Sequence, residues 1–181
     1  MIIVVKDKEK VYLAQTIIDM ENYNFDFDTH IHKNNSCLWK LKNHKNCIVA
    51  VPHSDLFSDL IRHNTDIFEE NIDIENLIQK TIPKMTKLSK EYKCYSNTNE
   101  FPHPFIVAQN EKAYIIYTTG FVCEIDDFEV MSNKWRDLCY GSLSQSKGMP
   151  ALSRIKKAVN DFSAIQYQKP TKFLLIDTKM E

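Results

Sequence analysis

Met1-Ile2-Ile3-Val4-Val5 and Val11-Tyr12-Leu13-Ala14, on either side of Lys6-Asp7-Lys8-Glu9-Lys10, decide the fold of this chain. Two short apolar runs rich in β-branched residues and split by a charged turn read as a β-hairpin. Ile2 to Val5 is apolar on both faces of a strand, so that strand needs cover above and below. Two stacked sheets with helices outside supply it.

Outward from the hairpin, Cys37 to Leu41 and Cys47 to Val51 are strand candidates joined by Lys42-Asn43-His44-Lys45-Asn46, and Pro52 stops the second. Ser54 is placed to cap a helix carrying Leu56, Phe57, Leu60 and Ile61, with Asp55 at its positive end. A helical period from Asp73 runs through Ile74, Leu77, Ile78, Ile82, Met85 and Leu88, with a kink or restart expected at Pro83. Tyr95 to Pro104 reads as a loop. Phe105 to Ala108, Ala113 to Tyr117, Phe121 to Ile125 and Phe128 to Met131 read as strands, with a turn at Thr119-Gly120. Ala151, Leu152, Ile155, Ala158, Val159, Phe162 and Ile165 give one amphipathic helix, and Phe173 to Ile176 closes as a strand. Strands, helices, strands, helix and strand without regular βαβ alternation predict an α+β fold with antiparallel sheets.

The 181 residues form one predicted domain, 1–181, with no internal repeat or linker. Glycine occurs only at 120, 141 and 148, which excludes the two glycine-rich phosphate loops, since both need closely spaced glycines to bring backbone N–H groups onto phosphate. A formal net charge of −1 advertises neither nucleic acid nor anionic lipid. The five cysteines form no C-x-x-C pair. Five apolar residues before Lys6 are too few for a signal segment, and no run approaches the ~20 residues of a spanning helix, so a cytoplasmic protein is expected.

These elements together resemble the proteasome β-subunit and HslV-type peptidase superfamily, the N-terminal-nucleophile (Ntn) hydrolases with a four-layer αββα sandwich. The resemblance is carried by the opening hairpin, by His32-Lys33-Asn34 followed by Leu38-Trp39-Lys40-Leu41, by Ile48-Val49-Ala50 leading to Asp55, and by Gly120, Glu124-Ile125 and Gly141-Ser142. It implies a Thr, Ser or Cys nucleophile at the mature N-terminus, whose α-amine serves as general base. Here Met1 holds that position, and Ile2 behind it is neither small enough to favour removal of Met nor a nucleophile. The resemblance places Cys37 where a lysine should lower the base's pKa, and Thr16 where an acid should orient that lysine. Val51 replaces the glycine whose N–H faces the oxyanion, and Leu143 replaces the last glycine of Gly-Ser-Gly; only Ser142 is kept. The region after Ser142 also reads as shorter than the family's usual helix pair. The expectation is a degenerate, non-proteolytic protein acting by binding or assembly, as a homo-oligomer or with a protein partner, without a cofactor. The alternative is an amide-bond hydrolase unmasked by processing.

Other constellations carry less. A strand from Asp26 to His32 would line up Asp26, Asp28, His30 and His32, with alternate residues about 6.5–7 Å apart, a donor set suited to a first-row metal ion or to a solvated face. Cys47 before Ile48-Val49-Ala50 reads as an interior strand residue. His53-Ser54-Asp55 cannot form a triad from adjacent positions, because triad geometry is spatial. Lys80, Lys84, Lys87, Lys90 and Lys93 read as a solvated helix stripe. Tyr92, Tyr95, Phe101 and Phe105 read as core beneath a loop or as an exposed patch.

Overall fold

The computed structural model describes residues 1–17, 37–53, 55–94, 99–132, 134–166 and 172–179. The opening hairpin is β1 (Ile2–Lys6) and β2 (Val11–Ile17), paired antiparallel from Ile2 opposite Gln15 to Lys6 opposite Val11. β8 (Phe128–Met131) flanks β1 and β9 (Lys172–Asp177) flanks β2, giving a four-stranded sheet in the order β8-β1-β2-β9. The second sheet runs β3 (Leu38–Lys40), β4 (Cys47–Ala50), β5 (Phe105–Gln109), β6 (Lys112–Ile116) and β7 (Val122–Glu124), neighbours in space as in sequence. Every pairing in both sheets is antiparallel.

Strand alternation sorts the apolar residues into three cores. Ile2, Val4, Leu13, Ile48, Ala50, Ile106 and Ile115 meet between the sheets. Ile3, Val5, Ala14 and Val130 face outward against α4 (Arg136–Gln145) and α5 (Ala151–Gln166). Val49, Val107, Tyr114 and Ile116 face the opposite way, against α1 (Leu56–His63) and the helix that continues to α3 (Ile82–Glu91). The four-layer αββα sandwich follows from this sorting, because the central strands are buried on both faces.

The helices depart from expectation in three places. Asp55, not Ser54, caps α1, and Ser54 lies outside the described residues: the Asp55 carboxylate accepts from the Ser58 N–H at 3.1 Å and the Asp55 N–H donates to Ser58 Oγ at 2.9 Å. At Pro83 the helix neither breaks nor restarts. A short α2 (Ile74–Asn76), capped by Asp73, widens into a π turn over Leu77–Thr81 and passes into α3, placing Pro83 in that segment's first turn. The wide turn accommodates a residue that has no N–H to return.

The third departure corrects the C-terminal half. Gly141 and Ser142, expected at a Gly-Ser-Gly turn, lie inside α4, so the one helix expected to be missing from the pair is present beside α5. The sequence of α4 has little helical periodicity, with Gly141 and two serines. Packing of Cys139 and Leu143 against the sheet and α5 holds it helical.

Phe101 and Phe105 are core residues packed on Phe57, while Tyr92 is exposed and Tyr95 lies outside the described residues. In the lysine stripe, Lys80 and Lys84 pair with Glu69 at 3.3 and 3.1 Å. Asp26, Asp28, His30 and His32 lie outside the described residues.

Candidate functional site

One end of the sandwich gathers the residues that head or close the central strands. The Met1 carbonyl, just before β1, accepts from the Thr16 N–H at 3.1 Å and the Thr16 hydroxyl at 3.4 Å. Cys37, entering β3, donates its N–H to the Gln15 side chain at 2.9 Å, and its carbonyl accepts the Val51 N–H at 2.9 Å. Met1 Sδ lies 3.3 Å from Cys139 Sγ of α4. Met1, Thr16, Cys37 and Val51, far apart in sequence, thus share one end of the fold.

Their chemistry is muted. Burial pushes the Met1 amine below its ordinary value, partly offset by the Cys37 and Cys139 thiols. Burial likewise pushes the Cys37 thiol up, and Cys139 up to about 11. Both therefore hold their protons at neutral pH. Val51 packs into the outer core beside Phe57 and Ile61, and its N–H is already spent on Cys37. That N–H offers nothing to an oxyanion, which needs a donor aimed at open space.

Ser142 sits elsewhere in function. Its hydroxyl donates to Asp161 of α5 at 2.6 Å, and Lys157 holds the same carboxylate at 2.5 Å. Lys157 first and Ser142 second keep Asp161 below the usual aspartate range. Ser142 therefore stitches α4 to α5. Cys47 is fully buried within β4 and its thiol is pushed up to about 12 by desolvation, an inert core residue.

A cleft of about 550 Å³ opens beside Met1, lined among others by His53, His103, Tyr117, Glu129, Lys134 and Arg136. The His103 ring nitrogen Nε2 lies 2.7 Å from Asp55, the residue that also caps α1, and the His53 and His103 rings are 4.5 Å apart between centroids. Asp55 thus pairs with an imidazole from 48 residues away and not with its neighbour His53. Glu129 Oε1 accepts from the Tyr140 hydroxyl at 2.5 Å, the Val130 N–H at 2.9 Å and the Arg136 guanidinium at 3.2 Å. Burial, then the bond to Glu129, push the Tyr140 hydroxyl up to about 12, so it stays a donor.

This cleft was not legible in the sequence. Its residues come from the ends of β4, β6 and β8, from the proline-flanked loop at 102–104, and from the start of α4. The one local signal was His103 between Pro102 and Pro104, a rigid presentation of an imidazole. Among the described residues, no group of three or more His, Cys, Asp or Glu side chains is arranged to hold a metal ion.

No family model and no curated protein matches the sequence. Solved structures do match the fold over nearly its whole length. Thiobacillus denitrificans BPH in complex with epoxomicin is 10% identical with a TM-score of 0.68, and 99% of each chain is covered. A second structure of Thiobacillus denitrificans BPH gives 0.66 at the same identity and coverage. Eukaryotic HslV from Trypanosoma brucei is 13% identical with a TM-score of 0.61, and 97% of each chain is covered. The chain therefore has the HslV- and proteasome β-subunit-like Ntn fold.

Proposed function

On this HslV- and proteasome β-subunit-like fold, we propose a non-proteolytic protein that acts by binding or assembly, in a structural or regulatory role. One observation carries the reading: the residue heading β1 is Met1, a thioether with no proton to lose and no nucleophilic oxygen or thiolate to offer. Its surroundings support it. Cys37 stands as a protonated thiol where the resemblance asks for a lysine cation, and the Val51 N–H is taken by a backbone carbonyl. Residues 1–181 act as one domain and assemble with copies of themselves or with a protein partner in the cytoplasm.

BPH is a structural neighbour captured with epoxomicin, which makes that compound the natural probe. Incubation followed by intact-mass spectrometry is expected to return the unmodified, unprocessed mass. An epoxomicin adduct, or a chain newly beginning at Thr16, Cys47 or another internal Ser or Thr, overturns the proposal in favour of an amide-bond hydrolase unmasked by processing. Light scattering tests assembly separately: a multiple of the 21.2 kDa chain mass is expected, and a monomer argues against self-assembly.

A further inference from the structure

At the opposite end of β4 from Val51, a second cavity of about 330 Å³ lies between the β3–β4 turn, the β5–β6 turn and the chain at 70–71. Its lining is a set of side-chain amides, Gln109 and Asn110 among them, with one cation, Lys45, and one carboxylate, Glu70. The polar turn at 42–46, which in the sequence only links two strands, supplies one wall. Buried side chains fix the walls to each other. Gln109, 7% exposed, donates from Nε2 to the Lys45 carbonyl at 3.2 Å and to the Glu70 carbonyl at 2.9 Å, while its Oε1 accepts the Ile72 N–H at 2.8 Å. His44 Nε2 donates to the Phe68 carbonyl at 3.1 Å, joining the same two segments again. Asn46 Nδ2 donates to Asn110 Oδ1 at 3.0 Å and closes the rim.

Gln109 grips only the backbone of Lys45 and Glu70, so both charged side chains remain available to the cavity. Among the described residues neither has an ion-pair partner, and they do not pair with each other. The cations that reach this segment, Lys80 and Lys84, go to Glu69 instead, at 3.3 and 3.1 Å. Opposite charges on clamped walls, each unmatched, are satisfied together by a ligand that carries both signs. The amide lining selects further, since an apolar group placed against it leaves donors and acceptors unpaired. The volume stands at the small end of ligand sites and admits a metabolite, not a chain segment of any length.

We propose that this cavity binds a free zwitterionic amino acid with a short polar side chain, its carboxylate on Lys45, its ammonium on Glu70 and its side chain against the amides. The site goes beyond the assembly reading given above and does not depend on it, because it lies at the other end of the sandwich from Met1. Charge complementarity selects the occupant: a molecule with one charge satisfies one wall and leaves the other unmatched.

The test is isothermal titration calorimetry at low salt with L-asparagine, L-asparaginamide, N-acetyl-L-asparagine and L-leucine. Asparagine is expected to bind roughly tenfold more tightly than the amide, which lacks the carboxylate, and than the acetyl derivative, which lacks the ammonium, the size of one hydrogen bond to a charged group. Leucine, of similar size, is expected to bind more weakly than asparagine. Lys45→Gln is expected to erase the preference over the amide and keep that over the acetyl derivative, and Glu70→Gln to do the reverse. Both side chains are exposed and Gln109 holds only their carbonyls, so neither change is expected to move the melting temperature. A blocked derivative or leucine that binds as tightly as asparagine, variants that leave both preferences intact, or no binding of any of the four at millimolar concentration overturns the proposal. An epoxomicin adduct in the earlier experiment overturns the non-proteolytic reading alone and leaves these preferences to be read as before.

Discussion

The His103 imidazole lies 2.7 Å from the Asp55 carboxylate, tying the loop between Pro102 and Pro104 to the first turn of α1. Asp55 serves two partners at once. Its Oδ1 accepts the Ser58 N–H and its Oδ2 meets His103.

The two roles can be separated by mutation. Asp55→Ala removes the cap and the pair together and is expected to cost about 1–2 kcal/mol, mostly from the lost cap. His103→Ala removes only a partly exposed pair and is expected to cost under about 1 kcal/mol. Urea unfolding of both variants checks the order. Equal losses would mean that the imidazole, not the helix cap, dominates.

Arg154 of α5 reaches Asp127, just before β8, through two nitrogens at 2.5 and 2.9 Å, and its side chain is almost fully buried. Removing it by Arg154→Ala is expected to cost about 2–3 kcal/mol, at or below the range for a fully buried pair because Asp127 keeps contact with water. Thermal unfolding at neutral pH measures it.

The same pair makes stability depend on acid. The bond from Arg154 holds Asp127 below its ordinary value. A carboxylate depressed in the folded state stabilises fully above its unfolded value of about 3.9, and loses that contribution as pH falls through the lower folded value. Asp161, held down by Lys157 and Ser142, adds in the same direction. Asp127→Asn is therefore expected to lower stability at pH 7 and to flatten the fall below about pH 4, read from unfolding midpoints across pH.

Gly141 lies in the interior of α4 without a positive φ, and a Cβ built there meets no atom within 4 Å. Gly141→Ala is expected to raise stability by about 0.5–1 kcal/mol, since the helix gains propensity and gives up no contact. Gly120 is the contrasting case, with φ +82 in the β6–β7 turn and Ile82 Cγ2 3.4 Å from a built Cβ. Gly120→Ala is expected to destabilise. A melting-temperature comparison of the two variants distinguishes them by sign.

Cys47 and Cys139, buried and pushed up to about 12 and 11, are expected to resist iodoacetamide at pH 7.5 in the folded protein and to react fully in urea. Peptide mapping by mass spectrometry reads each site. Native-state labelling of Cys139 would show that the Met1 end of the fold opens.

Much of the architecture was legible because strand and helix periods are local. Ile2 to Val5, apolar at every position, required two covered faces, and the observed cores on both sides of β1 supply them. The helix α5 announced itself by spacing alone. α4 did not, since Gly141 and its serines weaken the pattern and the helix is held by Cys139, Leu143 and its contacts with α5. The π turn before Pro83 was equally invisible, because a change of helical pitch leaves no mark in an apolar period.

What the sequence by itself determined was the sandwich, through runs of apolar residues that must be buried on two faces, and the residue types standing where the resemblance expects a hydrolytic centre. Only the tertiary structure decided what those residues touch. It gave the Val51 N–H to Cys37, turned Ser142 toward Asp161, and drew Asp55 to His103 and Glu129 to Arg136. Burial follows from local pattern, but hydrogen-bond partners are set by which strand ends and loops converge. In this protein the cleft beside Met1 is assembled wholly from such distant pieces.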